Sequence, residues 1–470
     1  MDSFVDIIAR GNDFVNGIVW GPVMLVLIAA VGLYFTIRLG FFQFKNAGFL
    51  FRQTIVRAFR SAKDGSDKNG VGDITSFQAA MTSVAAIVGS GNIAGVATAI
   101  VCGGPGAIIW MLLAAFLGMA TKFAEIALGI KYRRVHKDGS VSGGAMYYLA
   151  DGLKQKWLGI LFSVLVIFFA IMISAVVDTN TIALAINERF PVVQPWVVGL
   201  ILALLTAATI FGGIKRIGRF CEFLAPFMGG LYILAGLVII LMHLSDVPAA
   251  ISLIFRAAFE PKAVTGGAVG SIFICMRYGV ARGIFSNEAG LGSAAMVHSA
   301  AKVNSPIEQA VWGPVEVFLD TVLVCTVSAL TIVLSGLYTS GLDGAALTMR
   351  AFDLLLPGSW GGWICLIAVV LFGFSCLISF YTYAERAAEY IFGSKCKIVV
   401  RIVWVVMIFI GSITTLGLAW DLADTCNGLM ILPNLIGLIL MSNEVVKMKK
   451  EYFGRELSAE KAERLAKKAK

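Results

Sequence analysis

Of the 470 residues, 58% are hydrophobic and only 14% are charged, against roughly a quarter charged in an average soluble domain. A water-soluble chain of this length has no interior large enough to hide that apolar surface, so lipid must be its solvent. The formal net charge of +9 does not point to nucleic acid, because Lys and Arg fall in short blocks between apolar stretches, the pattern of cytoplasmic loops.

A hydrocarbon layer of about 30 Å calls for roughly 20 apolar residues per helix. On that ruler the chain reads as an all-α integral membrane protein with about eleven transmembrane helices, near 17–40, 77–102, 107–130, 157–177, 195–214, 221–243, 267–299, 311–335, 361–388, 398–418 and 425–446. The first stands as an extra N-terminal helix. The rest divide into two blocks of five, 77–243 and 267–446, within a single membrane domain of residues 1–446. A basic cytoplasmic tail, 447–470, follows and is expected to be a solvated or headgroup-contacting extension.

Basic residues cluster after the first, third, fifth and ninth spans (Lys45, Arg52, Arg57, Arg60, Lys63 and Lys68; Arg133 and Arg134; Lys215 and Arg216; Lys395 and Lys397) and in the tail. The intervening loops are nearly bare. The positive-inside bias therefore places the N-terminus outside and the C-terminus in the cytoplasm, which an odd number of spans requires. Asp2 and Asp6 at the start argue against a cleaved signal peptide. The connections 178–194, 244–265 and 337–360 fall on the outer side, and 247–258 reads as a short amphipathic helix there.

The eight cysteines show no metal-ligand spacing and read as small buried hydrophobes. Histidines 136, 243 and 298 are far apart, and no HExxH is present, so a membrane-embedded enzyme lacks its chemistry. Lys122 and Glu125, one turn apart, are expected to pair with each other. Arg277 and Arg282 are expected to pair with Glu288, Glu316 or Asp320.

Two spans are interrupted near their middle. The second carries Gly89-Ser90-Gly91-Asn92, and the seventh carries Phe285-Ser286-Asn287-Glu288-Ala289-Gly290. A backbone break at that depth is tolerated only where protein or a wet cavity satisfies its freed NH and C=O groups. Half-helix N-termini suit a carboxylate, and freed carbonyls suit a small cation. Broken helices opening each block of five, in orientations an odd-membered repeat must invert, point to a secondary transporter site. A channel is the competing reading, but it would show a filter loop or a ring of charges. Gly89–Asn92 supplies donors and acceptors for a zwitterion, with glycine allowing close backbone approach.

The runs Gly-Ser-Gly-Asn-Ile-Ala-Gly-Val-Ala-Thr-Ala-Ile (89–100), Gly-Gly-Pro-Gly-Ala (103–107) and Arg-Gly-Ile-Phe-Ser-Asn-Glu-Ala-Gly-Leu-Gly-Ser (282–293) resemble the alanine/glycine:cation symporter family over about residues 15–450. The resemblance implies the LeuT-type five-plus-five inverted repeat and uptake of alanine, glycine or a similar amino acid in a prokaryotic plasma membrane. The coupling ion is Na⁺, less often H⁺. No organic cofactor and no obligate protein partner are expected. Gly89, Ser90, Gly91, Asn92, Phe285, Ser286, Asn287, Cys376 and Phe380 are then the expected substrate-binding residues.

The resemblance also puts carbonyls of Ala85, Val88 and Phe372, the hydroxyl of Ser375 and the side chain of Cys376 around the cation. Where the family pattern has Thr-Thr-Ile-Leu-Gly-Trp, this chain has Ser375-Cys376-Leu377-Ile378-Ser379-Phe380. Cys376 is a poor Na⁺ ligand, and the smaller ring of Phe380 leaves room for serine or glutamine. Arg282 and Glu288 are coupling or structural candidates. Glu288 is expected to brace the unwound segment, with a proton or cation role as the alternative. Asp421 and Asp424 are expected at the outer boundary, as surface or gate residues.

Overall fold

In the computed structural model, residues 4–58, 60, 70–137, 139–259, 272–414 and 416–468 are described. The expected start of the seventh span at 267–271 lies outside them, as do Lys63, Lys68 and Lys262 of the loops and Lys470 of the tail.

The chain opens with α1 (Phe4–Val19) and α2 (Pro22–Arg38), bent by 43° at Trp20-Gly21. Proline at the first turn of α2 costs no hydrogen bond there, since its missing NH has no intrahelical partner anyway. The expected first span is therefore a bent pair that begins further toward the N-terminus. Next come α3 (Ser76–Ile87) and α4 (Gly91–Gly103), set at 46° to each other. A capping box starts α3: Thr75 accepts from the Gln78 amide, and the Gln78 side chain accepts from the Thr75 amide.

The first block continues with α5 (Ala107–Lys131), α6 (Lys156–Arg189), α7 (Pro195–Ile210) and α8 (Gly213–Met242). The expected amphipathic helix at 247–258 is present as α9 (Val247–Phe259). The second block holds α10 (Ile272–Asn287), α11 (Ala294–His298), α12 (Pro306–Ser335), a short connecting helix α13 (Gly344–Leu355), α14 (Trp360–Phe392), α15 (Lys397–Ile413) and α16 (Leu416–Leu440). The tail forms α17 (Ser442–Lys468).

Among the described residues, seven helices are long and apolar enough to cross a bilayer, nine when each bent pair counts as one span. The two remaining expected positions hold the shorter helices α7 and α10, each of 16 residues. The fourth span differs from expectation. It continues unbroken through 178–189, residues read from sequence as an outer connection.

The tail also differs. Its first turns dock on the body, with Tyr452 and Phe453 buried, the Phe453 ring 4.9 Å from Phe49, and Lys449 donating to the Leu39 carbonyl at 3.1 Å. A solvated extension is thus wrong for its first third. Two phenyl rings from residues 42–49 give it an apolar seat.

The broken helices lie side by side. Gly91 packs against the Phe285 ring and Gly103 against Tyr278, contacts that a Cβ at either glycine would crowd. On the face carrying the basic loops, arginines bridge the helix ends. Arg133 donates to the carbonyls of Ser299 (3.0 Å), Ala301 (2.8 Å) and Val71 (2.7 Å), tying the ends of α3 and α11 together. Beside it Arg386 holds Glu389 at 3.0 Å and Asp73 at 3.4 Å, and Lys397 holds Glu389 at 2.9 Å. On the opposite face a cavity of about 450 Å³ descends between α4, α6, α10 and α16.

Candidate functional site at two helix breaks

The break in the first block is a sequence of freed groups, each met by a side chain. Val88 leaves helical geometry (φ −80°, ψ 85°). The Gly89 amide then donates to Asn92 Oδ1 at 2.7 Å. Asn92 Nδ2 donates to Asp320 Oδ1 at 2.6 Å, and its own carbonyl accepts from Ser328 Oγ at 2.6 Å. The Ile93 carbonyl accepts from Thr348 on α13 at 3.1 Å. Unmet, each such group would cost several kcal/mol in hydrocarbon, on the order of 2–7. That cost explains why the surrounding positions are Asn, Ser and Thr rather than Leu.

The break in the second block is met in the same way. Lys122 donates to the Asn287 carbonyl at 3.0 Å, Asn434 to the Gly290 carbonyl at 2.8 Å, and the Ala289 amide to Asn287 Oδ1 at 2.9 Å. Glu288 adopts φ +56°, a conformation L-residues seldom take, and Gly290 and Gly292 follow at +98° and +77°. The Glu288 carboxylate accepts from Ser293 at 2.6 Å and Tyr383 at 3.1 Å. It is held by hydroxyls, and no arginine bonds it among the described residues.

Of the expected substrate residues, Gly89, Ser90, Gly91, Asn92, Phe285, Ser286 and Asn287 gather at the facing breaks, all buried. Ser286 Oγ reaches Asp320 Oδ2 at 2.9 Å, and Asn287 donates to Thr321 at 3.0 Å. Cys376 closes on the break from α14: a Cβ on Gly89 would stand 2.3 Å from its sulfur, and Sγ donates to the Ala86 carbonyl at 3.2 Å. Phe380 sits one turn further along α14, packed on Phe169 (5.8 Å) and Tyr383 (5.1 Å).

Of the expected cation ligands, Ser375 Oγ stands 2.8 Å from the Ala85 carbonyl and 2.7 Å from the Phe372 carbonyl. The Ser375 hydroxyl thus brings two carbonyl oxygens together close to Val88, the residue that follows α3. The Cys376 thiol is turned away, toward Ala86 and Asp178. Cys376 and Cys325 are buried, as expected of small hydrophobes, and they also meet polar groups of the breaks, the Cys325 sulfur lying 3.3 Å from Asn92 Nδ2 and from Ser286 Oγ.

Two expected pairings are overturned. Arg282 forms a two-point pair with Asp424 at 2.9 and 2.8 Å, and Arg277 donates to Asn16 at 3.1 Å. Neither reaches Glu288, Glu316 or Asp320, because both lie on the cavity side of Phe285. Lys122 pairs with Glu316 at 3.3 Å, and His298 lies 2.9 Å from the same carboxylate. Glu125 instead accepts from Asn434 at 2.7 Å. Fully buried, each charge needs a direct partner. Neighbours on other helices reach them where the i, i+3 mate does not.

Asp424 meets the cavity through Arg282, which lines it together with Trp420 and Asp421. The Phe285 and Trp420 rings stack there at 5.5 Å with the Arg282 guanidinium 5.3 Å from the indole. Reasoning from sequence missed Trp420, Tyr383, Asn434 and above all Asp178, whose carboxylate accepts from Ser90 Oγ at 2.5 Å. An ionisable residue within an apolar helix is the signal that finds Asp178, once α6 is drawn at its full length.

A sequence model described as the sodium:alanine symporter family matches residues 5–467. The chain is 44% identical to the sodium/alanine symporter AgcS of Methanococcus maripaludis over 93% of its own length and 96% of that protein's. It is 38% identical to the probable sodium/glutamine symporter GlnT of Bacillus subtilis, over 93% and 89%. The crystal structure of MhsT in complex with L-phenylalanine shares the fold, with a TM-score of 0.59 at 14% identity over 79% of this chain and 89% of that one.

Proposed function

The chain belongs to the sodium:alanine symporter family, and from that premise we propose that it imports a small neutral amino acid, alanine or glycine foremost, with inward Na⁺ flow as the driving force. It is a multi-pass secondary transporter of the LeuT fold, a symporter and not an enzyme. Carriage that extends to serine or glutamine is part of the proposal. The relative named for glutamine and the Phe380 ring in place of the larger Trp of the family pattern support it.

The observation that carries the reading is the meeting of two helix breaks, with Gly91 against Phe285 and Asn92 and Ser286 sharing Asp320. In this proposal Gly89–Asn92, Phe285, Ser286, Asn287, Cys376 and Phe380 surround the amino acid. Its carboxylate faces the amide-rich end of the first break, where the helix dipole favours negative charge. Na⁺ takes the oxygens of Ala85, Phe372 and Ser375, with Val88 completing the shell. Arg282–Asp424 with Phe285 and Trp420 is the thin gate under the cavity, and the Arg133 and Arg386 clusters are the thick gate opposite. Glu288 braces the second break.

Also proposed are eleven spans, an inverted relation between 77–243 and 267–446, an external N-terminus, a cytoplasmic C-terminus and residence in a prokaryotic plasma membrane. The positive-inside distribution of loops supports that orientation.

The test is uptake of labelled alanine by proteoliposomes with Na⁺ outside and none inside. Concentrative uptake that vanishes when choline replaces Na⁺ is expected. Equal accumulation under a proton gradient alone would overturn the choice of ion.

A further inference from the structure

Asp178 stands in the π-helical stretch Ile171–Asp178 within α6, a local widening of the kind often found at functional sites. It is buried, at 2% exposure. One carboxylate oxygen accepts from Ser90 Oγ at 2.5 Å, directly at the first helix break, while the other makes no hydrogen bond of ordinary geometry and has only neutral groups, a hydroxyl and a thiol, near it. Ser174 and Cys376 lie beside it.

The cations of the core are engaged elsewhere. Lys122 and His298 serve Glu316, and Arg282 serves Asp424. Among the described residues no ion pair includes Asp178. The neighbouring Asp320 differs, because Asn92, Ser286 and Thr321 satisfy both of its oxygens. Glu288 also leaves one oxygen free, but it lies beyond Phe285 along the chain, on a left-handed backbone braced by Ser293 and Tyr383.

Asp178 is also placed to meet an incoming solute. Ala94 and Thr181 line the cavity, one helical turn from Ser90 and Asp178 respectively. A buried carboxylate met only by neutral hydroxyl and thiol groups is unfavourable as an anion until a positive group joins it, and an N⁺–H donor there makes one of the stronger hydrogen bonds available.

We propose that Asp178 receives the α-ammonium group of the transported amino acid, so that the solute lies between this carboxylate and the amide-rich end of the Gly89–Asn92 break. The inference rests on the symport reading and adds a requirement to it. The solute must carry a protonated amine, and carboxylates without one are refused because they leave Asp178 unpaired.

The experiment compares wild-type and D178N full-length protein in proteoliposomes, measuring the KM for labelled alanine at saturating Na⁺ and the half-saturating Na⁺ concentration. D178N is expected to raise the alanine KM by roughly 30-fold, the loss typical of truncating one side of a buried charge pair. Half-saturating Na⁺ should stay within about twofold. An unchanged alanine KM overturns the proposal, and so does a shift confined to Na⁺, which would put the ion on Asp178.

A second measurement needs no variant. Propionate, which lacks the amine, should compete with alanine roughly 100-fold more weakly than alanine itself, or worse, in the wild type. Competition at alanine-like concentrations overturns the proposal even if D178N does not fold. Wild-type protein without Na⁺-dependent uptake brings down the symport reading and this inference with it. Wild-type uptake with an indifferent D178N brings down this inference alone.

Discussion

Asn92 and Asp320 are joined at 2.6 Å, so the side chain that caps the first helix break also anchors on α12, the long helix beyond the second. The Asn92 amide oxygen meanwhile takes the Gly89 amide at 2.7 Å. One residue therefore fixes the relative position of both breaks.

Replacing Asn92 by Ala leaves the Gly89 amide without its acceptor and removes a donor from Asp320. A buried group deprived of its partner costs about 1–3 kcal/mol. N92A should lose about 2–4 kcal/mol of stability and nearly all uptake. Thermal unfolding in detergent, alongside alanine uptake, checks both. An N92A protein with wild-type melting and uptake would mean that the break is held by other contacts.

The Arg282–Asp424 pair calls for a double-mutant cycle. Its side chains are 11% and 19% exposed, buried enough that R282A or D424A alone should weaken alanine accumulation severely. The coupling between the two sites should be about 1–3 kcal/mol in apparent alanine affinity. Additive effects would remove this pair from the gate.

Ser375 and Cys376 are adjacent, yet their side chains point to different partners. S375A should raise half-saturating Na⁺ by about tenfold, equivalent to about 1.4 kcal/mol for a lost ligand. C376S, nearly isosteric, should leave it within about twofold, because the thiol faces Ala86 and Asp178 instead. Titration of uptake against Na⁺ separates the two outcomes.

Phe380 sets the size limit in this reading. F380W adds ring volume where Phe169 and Tyr383 already pack, so relative uptake should move toward glycine and away from glutamine. A change of about 10-fold in the glycine-to-glutamine ratio is expected, the order of discrimination that pocket size alone supplies. An unaltered ratio would show that the ring does not meet the solute.

Much of this architecture is legible in the sequence because lipid imposes simple rules. A polar break in an apolar helix has to face protein or a cavity, so Gly89–Asn92 and Ser286–Asn287 announce their own importance. The meeting of Ala85, Phe372 and Ser375 follows from the family pattern and is present in the geometry.

Asp178-Thr179-Asn180-Thr181 misleads, because four polar residues in a row read as a loop. They stay helical and buried because partners are supplied from afar: Ser90 serves Asp178, and Asn180 donates to the carbonyls of Gly411 (3.0 Å) and Thr414 (2.6 Å). Those contacts join residues far apart in sequence, and helix periodicity carries no trace of them. The same blindness explains Lys122 and Glu125, whose partners lie on other helices.

Arg133 grips one carbonyl before α3 and three after α11, all from a single guanidinium. In the symport reading the basic side opens only when this one side chain has released every one of them, which makes Arg133 a latch shared by both blocks of the chain.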